Sequence, residues 1–302
     1  MKQKLFALYQ KIIDLLWGTG LSKFPPAFWV YTFLFRGLKP SGDIMVVGGN
    51  KMYSGKEMEG IPSACQRTFQ AYIVRGSWEE ETTCLFRGVA KEGDVVVDLG
   101  ANIGYYTLLA ARIVGSEGRV YAFEPDPLNF KLLVNNIKLN NFTNVITEEK
   151  AVSDKTGTLN LYLDAQDMGA HTLYETDKYK KIVIVESVTL DDYFKGRECP
   201  VNIVKMDIEG AELAALKGME NIIKMNKGLK IFAEFHPPWI RRSGIEPEYF
   251  ASLLLDHYKF TITAIQDYTR HIKSGRIGSV EELMGICQDA GVVNLLLEKE
   301  YD

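Results

Sequence analysis

From Gly93 onward, the chain alternates between two hydrophobic patterns. Short apolar runs predict buried strands, and apolar residues at helical spacing predict the helices between them. The strands are expected at Val95–Val97, Val120–Phe123, Val145–Thr147, Val201–Met206 and Leu229–Phe235, and the helices at Tyr105–Val114, Pro127–Leu139 and Ala211–Met225. Because strands that alternate with helices form βαβ units, this region predicts an α/β fold with a mostly parallel sheet.

Two later stretches depart from this alternation. Leu159–Leu163 and Ile182–Val188 are predicted to be paired strands that flank a polar loop with Gly169 and His171. The end of the chain predicts a helix, a strand, a helix and a strand, at Pro247–His257, Phe260–Ile265, Val280–Gln288 and Val292–Leu297. The last strand follows its neighbour so closely that we expect it to pair antiparallel at an edge of the sheet.

The first 77 residues form a separate predicted segment, and residues 78–302 form the predicted α/β domain. Residues 2–17 have the pattern of an amphipathic helix, and residues 24–35 are rich in aromatics. Residues 1–40 carry six lysines and arginines against one aspartate. This segment is predicted to contact an anionic membrane surface, to face the substrate, to cap the core, or to contact a second subunit in a homodimer. Its apolar run is too short to cross a bilayer.

Composition excludes several classes of protein. The chain has 302 residues, 46% of them hydrophobic, and a net charge of −4, which argues against a nucleic-acid binder. The four cysteines are scattered singly, so neither a zinc knuckle nor a disulfide framework is expected. With no signal-peptide pattern, we expect a cytoplasmic protein, with the inner face of the membrane as an alternative location.

A glycine turn follows the first strand of the α/β region. Gly100 permits close backbone approach, and Gly104 is expected to let the next helix pack closely against the sheet. A dinucleotide fingerprint would have glycine where Asn102 stands, and a carboxylate at Asp98 would repel a pyrophosphate. Glu124, after the second strand, suits ribose hydroxyls. These residues favour S-adenosylmethionine, which has a cationic sulfonium and no phosphate, and leave an NAD(P)-dependent oxidoreductase as the alternative.

Six motifs resemble the FkbM-type methyltransferase family in identity and order: VVVDLGANIGYYT, FEPDP, AVSDKTG, VTLDDYF, VKMDIEGAE and FAEFHP. The resemblance implies a class I methyltransferase fold, Rossmann-like, whose last strand is antiparallel. It also implies methyl transfer from S-adenosylmethionine to a hydroxyl oxygen, which leaves S-adenosylhomocysteine. The predicted cofactor-binding residues are Asp98, Gly100, Ala101, Asn102, Gly104, Thr107, Glu124, Pro125, Ala151, Val152 and Asp207.

Candidate catalytic residues lie at the ends of the predicted strands Val201–Met206 and Leu229–Phe235. Asp207 ends one strand, and Glu209 is expected in the first turn of the helix that follows. Glu234 and His236 share one face of the next strand because strand side chains alternate. His236 is the first choice for the group that accepts the hydroxyl proton, because an unperturbed histidine titrates near neutral pH, and Asp207 is the second.

The remaining predictions concern the substrate, a metal and the alternatives. His171, in the polar loop, is a further catalytic candidate that would close over the methyl acceptor. Binding of a divalent ion by Asp207, Glu234 and His236 is an alternative that the sequence does not favour. The acceptor is predicted to be a small molecule, a glycan, a lipid-linked compound or a secondary metabolite. A non-catalytic module that binds S-adenosylmethionine is the third functional reading.

Overall fold

The structure is a computed structural model that describes residues 44–53, 78–164, 168–175, 181–197, 200–267 and 275–299. The chain divides into two units, Met1–Trp78 and Glu79–Asp302. The predicted helix 2–17 and the aromatic run 24–35 lie outside the described residues. In the first unit, β1 (Ile44–Val47) and β2 (Asn50–Tyr53) form an antiparallel hairpin. Gly48 and Gly49 have φ of 58° and 87°, as a two-residue hairpin turn with positive φ at both positions requires.

The second unit alternates strands and helices as the hydrophobic pattern predicts. Its described strands are β3 (Val95–Leu99), β4 (Arg119–Phe123), β5 (Val145–Glu148), β6 (Lys150–Val152), β7 (Gly157–Leu163), β8 (Lys181–Val188), β9 (Ile203–Met206), β10 (Lys230–Phe235), β11 (Phe260–Ile265), β12 (Gly275–Ile277) and β13 (Val293–Lys299). Its described helices are α1 (Glu80–Val89), α2 (Tyr105–Val114), α3 (Pro127–Leu139), α4 (Leu190–Tyr193), α5 (Glu212–Lys217), α6 (Glu220–Met225), α7 (Pro237–Arg242), α8 (Pro247–Ser252) and α9 (Val280–Ala290). A π-helical turn, Leu253–His257, continues α8.

Eight strands form the central sheet in the order β12-β11-β13-β10-β9-β3-β4-β5. The five strands from β10 to β5 pair in parallel, and β13 is antiparallel to both β10 and β11. This is the class I methyltransferase fold, and the prediction of an antiparallel last strand is confirmed. The predicted edge position is wrong, because β11 and β12 extend the sheet beyond β13. All five residues Val293–Leu297 are accordingly buried, as in an interior strand.

A second, three-stranded sheet has the order β6-β8-β7. Its strands β7 and β8 pair antiparallel over seven residues, which confirms the prediction of paired strands around the polar loop. The loop returns along β7 through a bridge between Tyr162 and Thr172. This sheet therefore holds the loop that carries His171 close to the ends of the central-sheet strands.

The predicted helix Ala211–Met225 is two helices, α5 and α6, with Gly218 between them. A Cβ atom on Gly218 would lie 2.1 Å from the carbonyl oxygen of Ser153, so the backbone passes too close to the segment after β6 for any side chain. Within the ranges described above, no helix is both long and apolar enough to span a membrane.

Candidate active site

A cavity, which we call the edge cavity, opens where the parallel strands of the central sheet end. Ligands of open α/β sheets bind in this position, beyond the carboxyl ends of the strands. Of the predicted cofactor-binding residues, Gly100, Asn102, Glu124, Pro125, Ala151, Val152 and Asp207 line it. The other four, Asp98, Ala101, Gly104 and Thr107, do not.

The turn after β3 forms one wall of the edge cavity, and its backbone explains its residues. Gly100 has φ of 74°, and a Cβ atom there would lie 2.0 Å from the carbonyl oxygen of Asp207. Asn102 has φ of 50°, a conformation that asparagine tolerates better than most residues. Gly104 also has positive φ, and a Cβ there would lie 2.8 Å from Cδ1 of Leu133 on α3. Gly104 therefore permits helix-to-helix packing, whereas the sequence suggested packing against the sheet.

Glu124 is a buried carboxylate on the wall of the edge cavity. It accepts hydrogen bonds from the backbone N–H groups of Asn102 and Asp126, at 2.7 and 2.9 Å. Burial nevertheless raises its pKa to about 8, because it disfavours the charged form. A ligand that donates hydrogen bonds to this carboxylate would favour the ionised form.

Asn129 of α3 also lines the edge cavity, and the sequence reading missed it. Its side-chain nitrogen donates to the carbonyl oxygen of Met168 at 3.1 Å. Its buried Oδ1 accepts no hydrogen bond from any described residue. A buried oxygen beside Glu124 that lacks a donor fits a ligand with hydroxyl groups. The available signal was a polar residue on the buried face of α3, which also contains Asn136 among its leucines and isoleucine.

The structure corrects the expected position of Asp98. It is buried beneath the turn rather than on the cavity wall, and it accepts a 2.5 Å hydrogen bond from the hydroxyl of Thr107. The bond joins Asp98 to the first turn of α2, and neither residue lines the edge cavity. Burial raises the pKa of Asp98 to about 6, although the Thr107 bond and the charge of Lys205 oppose the rise.

A buried cluster of charges lies beside Asp98, and neither Lys205 nor Glu79 was predicted to take part in it. The ammonium of Lys205 lies 3.6 Å from the Asp207 carboxylate and 3.8 Å from the Glu79 carboxylate. Glu79 also accepts hydrogen bonds from Tyr106 and Asn294, at 2.8 and 2.9 Å. Burial lowers the pKa of Lys205, but the surrounding carboxylates outweigh burial and raise it. A lysine in an apolar strand was the signal that sequence offered.

The turn after β9 carries Glu209 and leads into α5. Glu209 has φ of 51° and precedes α5, so its predicted position in the first helical turn is wrong. The hydroxyl of Thr172 donates to its backbone oxygen at 2.9 Å, which fixes the turn against the loop after β7. Glu209 lines the edge cavity. Glu209 therefore lies beside the edge cavity and ahead of the helix.

Glu209 also meets two side chains from the end of β10. One donor atom from each of Glu209, Glu234 and His236 lies within 4.8 Å of the others, and we call these residues the Glu–Glu–His cluster. Burial, together with the positive charge of Arg242, lowers the pKa of His236 to about 4. Burial and then the Asp207 charge raise the pKa of Glu234 well above its usual value. The near-neutral pKa that favoured His236 as a base is therefore absent.

His171 lies on the wall of the edge cavity, as part of the loop after β7. Its Nδ1 accepts a hydrogen bond from the backbone N–H of Asp164 at 3.0 Å. The bond anchors the ring to its own loop and leaves it outside the Glu–Glu–His cluster. The two histidines predicted for catalysis thus belong to different parts of the site.

The fold and the edge cavity define a methyltransferase of class I. The sequence model of the methyltransferase FkbM domain matches residues 98–268, so the chain belongs to the FkbM methyltransferase family. It is 29% identical over 177 residues to the hexuronic acid methyltransferase AglP of Haloferax volcanii, a match that covers 58% of this chain and 67% of that protein.

Two further proteins resemble the chain. It is 30% identical over 148 residues to methyltransferase 1 of Beauveria bassiana, which covers 42% of this chain and 58% of that one. The solved structure of an FkbM methyltransferase from Methylobacillus flagellatus aligns with 93% of this chain and 60% of its own, at 17% identity and a TM-score of 0.42.

Proposed function

We propose that the protein transfers a methyl group from S-adenosylmethionine to a hydroxyl oxygen of a glycan. The observation that carries this proposal is the pairing of Glu124 with the Asn129 oxygen on the wall of the edge cavity. Both are hydrogen-bond acceptors, and ribose presents two hydroxyl donors. An NAD(P)-dependent oxidoreductase is disfavoured because Asn102 and Asp207 line the same cavity and offer no glycine cradle for a pyrophosphate.

The proposed role of each residue follows from its position around the edge cavity. S-adenosylmethionine supplies a methyl group on a positively charged sulfur. Glu124 and Asn129 would bind the sugar, and Ala151 and Val152 would contact the adenine. Asp207 follows β9 and Glu124 follows β4, and these two strands lie on opposite sides of β3. The carboxylate of Asp207 would attract the end of the ligand that carries the positively charged sulfur. Holding donor and acceptor in line accounts for much of the rate in such a transfer.

The similarity to a hexuronic acid methyltransferase supports a uronic acid, or a glycan that contains one, as the methyl acceptor. Such an acceptor carries a carboxylate. Arg242 is a candidate to bind it, because its charge acts on His236 in the Glu–Glu–His cluster and its guanidinium lies 4.0 Å from the ring of Trp239. Arginine binds carboxylates with two parallel hydrogen bonds.

Binding calorimetry tests the cofactor. We expect S-adenosylhomocysteine to bind with micromolar affinity and NAD to show no heat. Glu124→Gln should weaken binding, whereas the exposed Glu117→Gln should leave it unchanged. Binding of NAD in place of S-adenosylhomocysteine would contradict the proposal.

Methyl transfer tests the acceptor. With labelled S-adenosylmethionine and uronic acid oligosaccharides, we expect label in the sugar, attached to oxygen, as located by NMR of the product. Arg242→Gln should raise KM for these acceptors and leave KM for neutral sugars unchanged. Label on carbon or nitrogen would contradict an O-directed reaction, and cofactor binding without transfer to any acceptor would support the non-catalytic reading.

Residues 1–40 are proposed to bring the enzyme to anionic membranes in the cytoplasm, where a lipid-linked glycan would be the acceptor. The support is their basic and aromatic composition. Full-length protein should sediment with anionic liposomes, and a chain that lacks these residues should not. Loss of a dimer on truncation, with no liposome binding by either chain, would instead favour a subunit contact.

A further inference from the structure

The Glu–Glu–His cluster has the composition and spacing of a metal site. Glu234 and His236 are two residues apart at the end of β10, and Glu209 reaches them from the turn after the neighbouring strand β9. Two donors on one first-row ion lie at most about 4.3 Å apart. Since the three donor atoms already lie within 4.8 Å of one another, small side-chain rotations would bring them onto a single ion.

Two members of the cluster, Glu234 and His236, also lack the polar partners that purely structural groups would have among the described residues. Among the described residues, neither the Glu234 carboxylate nor the His236 ring has a hydrogen bond or an ion pair. The ammonium of Lys205 lies against Glu79 and Asp207 instead. Glu234 faces the negative charges of Asp207, Glu79 and Glu212, which the positive charge of Lys205 offsets only in part. Partly buried carboxylates in this setting favour a bound cation.

We propose that Glu209, Glu234 and His236 bind one first-row divalent cation of the Mn²⁺ or Zn²⁺ kind. Two carboxylates and one imidazole form a mixed ligand set that transition ions accept and that Mg²⁺, which prefers oxygen ligands and water, does not favour. Three protein ligands leave coordination positions open, as in catalytic metal sites.

The position of the site suggests what the cation does, and this part rests on the proposed methyltransferase function. Glu209 lines the edge cavity and belongs to the cluster, so an oxygen atom bound to the cation would lie beside the methyl donor. A bound cation lowers the pKa of a hydroxyl ligand. In this arrangement His236 is a metal ligand, and Asp207, which also lines the cavity, is the proton acceptor.

The transfer then balances as a simple displacement. The hydroxyl proton passes to the Asp207 carboxylate, and an oxygen lone pair forms the new C–O bond to the methyl carbon. The C–S bond breaks with its electrons going to sulfur, which becomes a neutral thioether. The cation holds the oxygen and changes neither its own charge nor its ligands from this chain.

Electron paramagnetic resonance with Mn²⁺ tests the site without any activity measurement. Tag-free, EDTA-dialysed protein should bind one Mn²⁺ per chain, and the spin echo should show coupling to a ¹⁴N nucleus of the imidazole. Zn²⁺ should displace the Mn²⁺, and Mg²⁺ should not. Absence of Mn²⁺ binding, or binding without ¹⁴N coupling, would overturn the proposal, and this measurement on the unaltered chain needs no variant to fold.

Variants then identify the ligands. His236→Ala should abolish the ¹⁴N coupling, and Glu209→Gln and Glu234→Gln should each weaken Mn²⁺ binding at least tenfold. The controls His257→Ala and Glu117→Gln change exposed residues of the same types and should have no effect. Coupling that persists in a folded His236→Ala protein would place the metal elsewhere and overturn the assignment.

Calorimetry of S-adenosylhomocysteine on the same metal-free sample separates the two proposals. If S-adenosylhomocysteine binds and Mn²⁺ does not, the metal site is wrong and the proposed function stands. If Mn²⁺ binds with ¹⁴N coupling and S-adenosylhomocysteine does not bind, the metal site stands and the proposed function is wrong.

Discussion

At the scale of single residues, the site depends on carboxyl groups whose charge the fold disfavours. Burial raises the pKa of Glu124 to about 8, of Glu212 to about 7 and of Asp98 to about 6. Glu212 uses its carboxylate to accept backbone N–H groups of its own turn, from Gly210 and Ile208. Glu124 is the one of these three that lines the edge cavity, so a ligand can act on its ionisation directly.

The raised pKa of Glu124 predicts a pH-dependent affinity for S-adenosylhomocysteine. Ribose hydroxyls prefer the ionised carboxylate, so binding below pH 8 must remove a proton from Glu124. Affinity should rise with pH, by up to about tenfold per unit, between pH 6 and 8, and then level off. Calorimetry in buffers of different ionisation heat would detect the released proton. Glu124→Gln should bind more weakly with a flat profile, and a sloping profile in that variant would contradict this role.

The ion pairs of Lys205 predict a large effect on stability. Lys205→Met leaves the Glu79 and Asp207 carboxylates without their cation, and removing one partner of a buried pair costs about 3–5 kcal/mol. Urea unfolding would measure the loss. The control Lys224→Met, which removes an exposed pair to Glu220, should cost less than about 1 kcal/mol. Equal losses in the two variants would show that the buried pairs contribute no more to the free energy of unfolding than the exposed pair does.

At the scale of elements, the turn after β3 is the part most tightly constrained by its backbone. The N–H groups of Gly100 and Ala101 both donate to the carbonyl oxygen of Phe123, and the Asp207 N–H donates to the carbonyl oxygen of Leu99. These bonds join the ends of three neighbouring strands. The turn, Glu124 and Asp207 therefore keep fixed positions around the edge cavity.

Two glycine substitutions distinguish the energetic cost of a steric contact from the cost of an unfavourable φ. Gly93 and Gly100 both have positive φ, of 85° and 74°. A Cβ atom on Gly93 would have no atom within 4 Å, whereas a Cβ atom on Gly100 would lie 2.0 Å from the carbonyl oxygen of Asp207. Gly93→Ala should cost about 1–2 kcal/mol from its φ alone. Gly100→Ala should cost clearly more and weaken S-adenosylhomocysteine binding, as thermal unfolding and calorimetry would show. Equal effects would mean that the contact with Asp207 is unimportant.

Sequence predicted the elements well where one local pattern decides them. Pro127–Leu139 is a helix over its whole predicted range, and Asp126 caps it through the N–H groups of Leu128 and Asn129. The interior position of β13 was not predictable, because it depends on strand order across the sheet. Gly218 breaks the helix predicted at 211–225 through its approach to Ser153, a contact between residues far apart in the chain.

At the scale of the whole second unit, the candidate site residues converge because parallel strands end at one edge of the sheet. That rule let sequence predict Glu124 and Asp207 as site residues, and both line the edge cavity. It could not predict Glu79, which reaches Lys205 from the start of α1 and is also bound by Asn294 of β13. Nor could it predict that Asp98 would not line the cavity, because the hydrogen bond from Thr107 depends on how α2 packs.

A crystal structure of the protein with S-adenosylhomocysteine tests the proposed function most directly. The ligand should occupy the edge cavity, with its ribose hydroxyls within hydrogen-bond distance of Glu124 and its sulfur on the side of Asp207 and Glu209. Density for the ligand elsewhere, or an edge cavity that stays free of it at saturating concentration, would contradict the assignment of this cavity to the methyl donor.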